Sequence, residues 1–319
     1  MNLSCKHISI SKLFFLSITA LLFHATSYSQ TPKVVSGTIV RIDKFHSKYV
    51  TDRNIDIWLP EGYPDSSLYP VLYMHDGQML FDSSITWNHQ AWDVDDVTSG
   101  LMSENKIRKC IVVGIWSDGT TRHADYFPEQ PFNSLDKKDK DTVTAQLQRS
   151  GRTINQFKPQ SENYLKFIVK ELMPYMRKNY AIAKGKQNTF IAGSSMGGLI
   201  SLYAICCYPN VFGGAACLST HWTGTFTDVN NPIPNSFLHY MRRHLPDPQS
   251  HILYFDCGDQ TLDALYPSIQ QKADKILVEK GYNETNWKTV YVPGADHSEK
   301  SWKKRLDIPL TFLLGEKQK

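Results

Sequence analysis

The sequence predicts an α/β protein, with a mostly parallel central sheet, helices on both faces and an antiparallel edge at the N-terminal side. Three observations carry that expectation. Short apolar runs recur at residues 71–74, 110–116, 189–192, 214–218, 252–255 and 289–292, with helical patterns between them. Residues 33–60 read instead as two or three extended segments, in which Ile55, Ile57 and Leu59 alternate with Asn54, Asp56 and Trp58, as an edge hairpin requires. The chain has 319 residues, 41% of them hydrophobic and 21% charged, which suffices for one large core without repeats or a structural metal.

At the front, Lys6 and Lys12 precede an apolar run over 13–23, and small residues follow at Ala25, Ser27 and Ser29, the pattern of a cleaved secretory signal over 1–29. The run is shorter than the roughly 20 residues of a membrane-spanning helix, so no stable membrane insertion is expected after cleavage. A secreted or periplasmic location follows. Cys5 lies before the run, which argues against a lipoprotein anchor. Cleavage removes two lysines and no acid, taking the formal charge from +4 to +2, a balance that predicts no nucleic-acid partner.

Residues 30–319 read as a single domain. Its cysteines, Cys110, Cys206, Cys207, Cys217 and Cys257, mostly sit in apolar runs, which predicts buried free thiols. The sequence contains no Cys-x-x-Cys and no His-Glu-x-x-His, so neither a metal nor an organic cofactor is expected.

The helix expectations rest on spacing. Leu165, Ile168, Val169 and Leu172 form one stripe behind Ser161 as N-cap, and Ile269, Ala273, Ile276 and Leu277 form another before Gly281. Between 117 and 160 the pattern fails over residues rich in Asp, Lys, Gln, Pro and Gly. That stretch reads as a loop insertion of the kind that forms lids.

Residues 189–204 read as a strand, then Gly193-Ser194-Ser195-Met196-Gly197-Gly198, then a helix. This context makes Ser195 the candidate nucleophile on a tight turn, with small residues two before and two after it to let strand and helix approach. The helix N-terminus behind it favours an oxyanion, and the Met196 N–H is the natural first donor. A second donor belongs on the loop after an earlier strand, where His75-Asp76-Gly77-Gln78 follows residues 69–74. Gly77 permits a turn there, leaving the Gln78 N–H as candidate.

A general base must follow the serine in chain order. Of His221, His239, His244, His251 and His297, the last is placed best, because Pro293-Gly294-Ala295-Asp296 carries it off the end of the final strand. His251 opens a strand at the far side of the sheet, and His239 and His244 fall in a surface helix. For the acid, the turn after residues 252–255 offers Asp256, Asp259 and Asp263. Asp256 is still within the strand, and spacing does not separate the other two.

With these residues in view, the chain resembles the esterase family of α/β-hydrolases, which includes feruloyl and acetylxylan esterases, S-formylglutathione hydrolases, siderophore esterases and mycolyltransferases. The likeness is carried by Leu72-Tyr73-Met74-His75-Asp76-Gly77-Gln78 with Leu80-Phe81, Tyr126-Phe127-Pro128 with Gln130-Pro131-Phe132, Gly193 to Gly198, and Gly294-Ala295-Asp296-His297-Ser298. It covers nearly the whole mature chain. The resemblance implies an α/β-hydrolase fold, a catalytic set of Ser195, His297 and an acid after Gly258, and oxyanion donors at Gln78 and Met196. Relatives commonly read Gly-Thr-x-Thr-Leu-Asp where this chain has Gly258-Asp259-Gln260-Thr261-Leu262-Asp263, which favours Asp263, with Asp259 second.

The function expected is that of a secreted serine carboxylic-ester hydrolase working through an acyl-enzyme on feruloyl or acetyl groups of polysaccharides or oligosaccharides. Tyr126, Phe127, Phe132, His221 and Trp222 are expected on loops above the serine as substrate-binding residues. Siderophore ester hydrolysis, acyl transfer and a catalytically silent binding module are the alternatives.

Overall fold

The computed structural model describes residues 30–316, so the signal segment expected at 1–29 lies outside the described residues. Eight strands form one sheet: β1 (Thr38–Phe45), β2 (Arg53–Leu59), β3 (Val71–His75), β4 (Ile111–Ile115), β5 (Thr189–Ser194), β6 (Gly214–Leu218), β7 (Ile252–Cys257) and β8 (Trp287–Tyr291). Their order is β1-β2-β4-β3-β5-β6-β7-β8. β1 pairs antiparallel with β2, with Val40 opposite Ile57, and β2 pairs antiparallel with β4. All other pairings are parallel.

The strand runs are uninterrupted apolar segments because both faces of the inner sheet are covered, and the two-residue repeat deals side chains alternately to two cores. Tyr73, Val113, Ile191 and Phe255 face one core; Leu72, Met74, Val112, Ala192 and Tyr254 face the other. The second core is closed by α1 (Val94–Ser103) and by the last two helices, α10 (Glu299–Lys303) and α11 (Asp307–Leu314). The first is closed by the remaining helices.

The stretch 117–160 is not an open loop but carries α2 (Arg122–Tyr126), α3 (Glu129–Asn133) and α4 (Lys137–Arg149). The apolar stripe of α4 is only Val143 and Leu147, flanked by buried Thr144 and Gln146, so its charged face conceals the helical period. Asp136 caps it by accepting from the Asp139 N–H at 2.8 Å.

Next come α5 (Ser161–Phe167), a π-helical turn over Ile168–Leu172, and α6 (Met173–Asn179). Ser161 is the first residue of α5 rather than its cap, and its hydroxyl accepts from the Glu129 N–H at 2.9 Å, tying α5 to α3. Finally α7 (Met196–Cys207), α8 (Ile233–His244) and α9 (Pro267–Glu279) follow β5, β6 and β7.

All five cysteines among the described residues are free thiols, and Cys110, Cys206, Cys217 and Cys257 are buried. Among the described residues no helix is long and apolar enough to cross a membrane.

Candidate active site

The turn from β5 into α7 holds Ser195 at φ 58° and ψ −123°, a conformation that costs a non-glycine residue about 1–3 kcal/mol. Its surroundings impose it. The Ser195 N–H donates to the Leu218 carbonyl at 2.9 Å, and the Ser195 carbonyl accepts from His221 N and Leu199 N, both at 3.1 Å. Gly193 is required by contact, since a Cβ there would lie 2.8 Å from the Gly197 carbonyl carbon, and a Cβ on Gly197 would press on the His75 Cβ at 3.2 Å. Strand and helix touch through those two positions, and Ser195 is left half-buried at the sheet's C-terminal edge.

At the start of a helix the first N–H groups have no intrahelical acceptor, and Met196 holds the first position of α7. The loop after β3 brings Gln78 to the same edge. Asp76, rather than the Gly77 expected from the sequence, takes the left-handed turn, at φ 56°. Gly77 serves close approach instead, because a Cβ there would lie 2.5 Å from the Gly114 carbonyl carbon of β4. The Gln78 side chain is anchored to Ser117 through Nε2 to Oγ at 2.7 Å and from Ser117 N to Oε1 at 3.1 Å. Its backbone is thereby held at the site.

The Asp76 carboxylate takes a two-pronged ion pair from Arg122, with both N–O distances 2.7 Å. Burial pushes this carboxyl up, but the guanidinium outweighs it and holds the group below its ordinary range.

The acid and the histidine meet directly. Asp263 Oδ1 lies 2.6 Å from His297 Nδ1, and Asp263 is fully buried. Its other oxygen accepts from the Gly258 N–H and the Ser219 hydroxyl, each at 2.7 Å. Asp259, the second choice, faces away and accepts from Gly294 N and the Tyr291 hydroxyl, each at 2.8 Å. The two loops are sewn together: Asp259 N and Gln260 N donate to the Ala295 carbonyl, and His297 N donates to Thr261 Oγ1. Gly258 has to be glycine, because a Cβ there would sit 2.0 Å from the Ala295 oxygen.

Sequence reasoning missed the layer behind the acid. Ser219 Oγ accepts from Trp302 Nε1 at 2.9 Å and from Arg305 Nη2 at 3.0 Å, which leaves its one proton for Asp263. Arg305 is itself buried and paired with Asp256 at 2.9 Å. The Trp302 ring also meets the His297 ring edge-on, with centroids 5.0 Å apart. A single arginine and serine in unremarkable sequence contexts offered no spacing signal for this.

Ser195 and His297 converge on Tyr266, whose ring is 5.8 Å from the imidazole and whose hydroxyl interacts with the Ser195 hydroxyl. Among the described residues no direct Ser195–His297 hydrogen bond is formed. Catalytic hydrogen bonds are often long without substrate and tighten when it binds. The Tyr266 hydroxyl also lies 2.6 Å from His221 Nδ1.

All five residues expected on loops above the serine are buried instead. Tyr126 and Phe127 are fully buried; the Tyr126 hydroxyl accepts from Asp76 N, and Phe127 packs among Phe132, Phe157 and Phe237. Trp222 is buried too, donating to Gln270 Oε1 at 2.9 Å and stacking on Phe255. His221 is 1% exposed beneath Phe226, and Phe132, also expected above the serine, is 4% exposed. These side chains are packed in the interior rather than standing at an open rim.

Burial pushes the imidazoles of His75 and His123 down to about 3 and that of His221 well below its ordinary range. Each is neutral in the fold and takes up a proton on unfolding at any pH below about 6.5. Their stabilisation is therefore complete above that pH and is lost as the pH falls from 6.5 towards 3. Near pH 5 His75 and His123 together contribute a slope of about 3 kcal/mol per pH unit, and His221 acts in the same direction. Denaturant unfolding at pH 5, 6 and 7.5 is expected to show this steep acid decline; a flat profile would contradict buried neutral histidines.

The family model described as "Putative esterase" matches residues 47–311. Ferri-bacillibactin esterase BesA of Bacillus subtilis is 26% identical over 197 residues, 60% of this chain and 62% of that protein. A CE1 ferulic acid esterase from the anaerobic fungus Anaeromyces mucronatus superposes with a TM-score of 0.59 at 20% identity, covering 90% of this chain and 94% of that one. An enterobactin esterase from Shigella flexneri gives a TM-score of 0.62 at 17% identity over 88% of this chain and 60% of that one. At such identities the structures speak for the fold, which is that of the α/β-hydrolases.

Proposed function

The chain belongs to the esterase family, and from that premise we propose that it is a serine carboxylic-ester hydrolase acting through an acyl-enzyme, with Ser195, His297 and Asp263 as its catalytic residues. The observation that carries the assignment is the 2.6 Å Asp263–His297 pair beside a strained serine elbow. Ser195 Oγ attacks the ester carbonyl as His297 Nε2 takes its proton, and Asp263 holds the imidazole with its proton on Nδ1. The tetrahedral oxyanion is received by the Met196 and Gln78 N–H groups. His297 then returns the proton to the leaving alcohol, and water, activated by the same imidazole, frees the acid and restores Ser195.

We propose acyl groups on polysaccharides or their fragments as the substrate class. Similarity to ferulic acid esterases and the leader-like segment at 1–29 support it, with residues 30–319 as one exported catalytic domain. Similarity to two siderophore esterases keeps siderophore ester hydrolysis as the second reading.

Turnover of p-nitrophenyl acetate, methyl ferulate, acetylated xylan, a ferric catecholate trilactone and a peptide anilide separates these. Hydrolysis of acetylated xylan or methyl ferulate above the trilactone is expected, with none of the anilide. Preference for the trilactone would move the substrate assignment to siderophores, and a folded protein inert towards every ester would indicate a silent binding module.

A further inference from the structure

Of the chain's seven tryptophans, Trp58, Trp92, Trp222 and Trp302 are buried, whereas Trp87 is 80% exposed. Full burial of a large apolar side chain is worth about 1.5–3 kcal/mol, which this residue forgoes. It is nevertheless firmly presented. His89 N donates to the Thr86 carbonyl across a turn centred on Trp87 and Asn88, and Thr86 Oγ1 donates to the Ser83 carbonyl. Asn88 Nδ2 donates to Glu299 Oε2 at 2.9 Å, and Lys300 N donates to Gln90 Oε1 at 3.2 Å. The same loop leaves the Gln78 turn and returns to it, with Trp92 N donating to the Met79 carbonyl at 3.1 Å. Trp87 therefore stands on a braced loop between the Gln78 turn and α10, which begins two residues after His297.

The side of the site is informative. Because His297 must hand its proton to the departing alkoxide, the leaving alcohol lies on the His297 side of the scissile bond and the acyl group lies away from it. A pyranose ring presents an apolar C–H face and a polar hydroxyl edge. An exposed indole beside an amide and a carboxylate offers both counterparts, the rigid aromatic face at little entropic cost.

We propose that Trp87, with Asn88 and Glu299, forms a subsite for a pyranose ring of the leaving alcohol, with the indole under the C–H face and the two polar side chains on its hydroxyls. This rests on the carbohydrate-ester reading above and specifies where the sugar sits.

The test compares wild type, Trp87→Ala and Trp87→Phe on acetylated xylo-oligosaccharides and on p-nitrophenyl acetate. For Trp87→Ala, kcat/KM on the oligosaccharide is expected to fall about tenfold, carried by KM, with Trp87→Phe in between and p-nitrophenyl acetate within about twofold. In the Ser195→Ala background, millimolar xylotetraose should shift the tryptophan fluorescence, and Trp87→Ala should abolish the shift. An unchanged kcat/KM on an oligosaccharide that wild type cleaves overturns the subsite while leaving the carbohydrate reading intact. Wild type that hydrolyses p-nitrophenyl acetate but no sugar ester overturns both. A wild-type dimer that Trp87→Ala converts to monomer, with unaltered kinetics, overturns the proposal by making Trp87 a contact between copies.

Discussion

Ser195→Ala is expected to lower kcat on p-nitrophenyl acetate by about 10⁶-fold, the scale of losing a nucleophile, and to abolish covalent labelling by a fluorophosphonate. The fold should survive. The elbow is held by backbone bonds from Ser195 N to Leu218 and from His221 and Leu199 to the Ser195 carbonyl, none of which involves the hydroxyl. Alanine bears the same φ strain as serine, so thermal unfolding should shift little, and a lost activity is then a lost nucleophile rather than a lost structure. Labelling that persists in Ser195→Ala would move the nucleophile elsewhere.

Asp263→Asn should be nearly as damaging, with a fall in kcat of about 10⁴-fold, and the structure supplies the reason. The carboxylate serves three donors: His297 Nδ1 on one oxygen, Gly258 N and the Ser219 hydroxyl on the other. An amide has one oxygen. Gly258 N cannot turn, and Ser219 is committed as a donor because Trp302 and Arg305 fill its acceptor positions. The amide oxygen is therefore drawn to that side, and its NH₂ faces His297 Nδ1. The imidazole must answer as an acceptor at Nδ1, which places its proton on Nε2, where it cannot accept one from serine.

Asp259→Asn tests the alternative. Its carboxylate accepts from Gly294 N and the Tyr291 hydroxyl, so the change should loosen the His297 loop slightly and leave kcat within about threefold, as expected for a half-buried side chain away from the reacting groups. Equal losses in the two variants would undo the assignment of the acid.

Much of this was legible in the sequence because the relevant signals are local. Continuous apolar runs marked the inner strands, and the glycines around Ser195 report a backbone approach visible as a Cβ clash at Gly193. His251 was placed correctly by its position at a strand's start, and its ring nitrogens bind the Asp247 and Pro209 carbonyls far from the serine. Asp259 and Asp263 were not separable by spacing, since both leave the same strand on a turn and only the three-dimensional path of that turn decides which one meets His297.

The aromatic residues misled for a different reason. Tyr126 and Phe127 were read as loop residues because α2 is one short helix amid charged sequence, yet the segment folds inwards and buries both rings. An aromatic side chain in an irregular stretch carries no label for core or rim. Trp87, which does face solvent, carries no period of its own, and Ser219 meets Trp302 and Arg305 only through contacts more than 80 residues apart in the chain.

The most direct test of the catalytic assignment is a crystal structure of the protein inactivated with a small alkyl phosphonate. The phosphorus should be bonded to Ser195 Oγ, the phosphonyl oxygen should lie about 2.7–3.1 Å from both the Met196 and Gln78 N–H groups, and His297 Nε2 should be within hydrogen-bonding distance of the adduct. An adduct on any other residue, or a His297 imidazole still out of reach of the phosphonylated serine, would contradict the account.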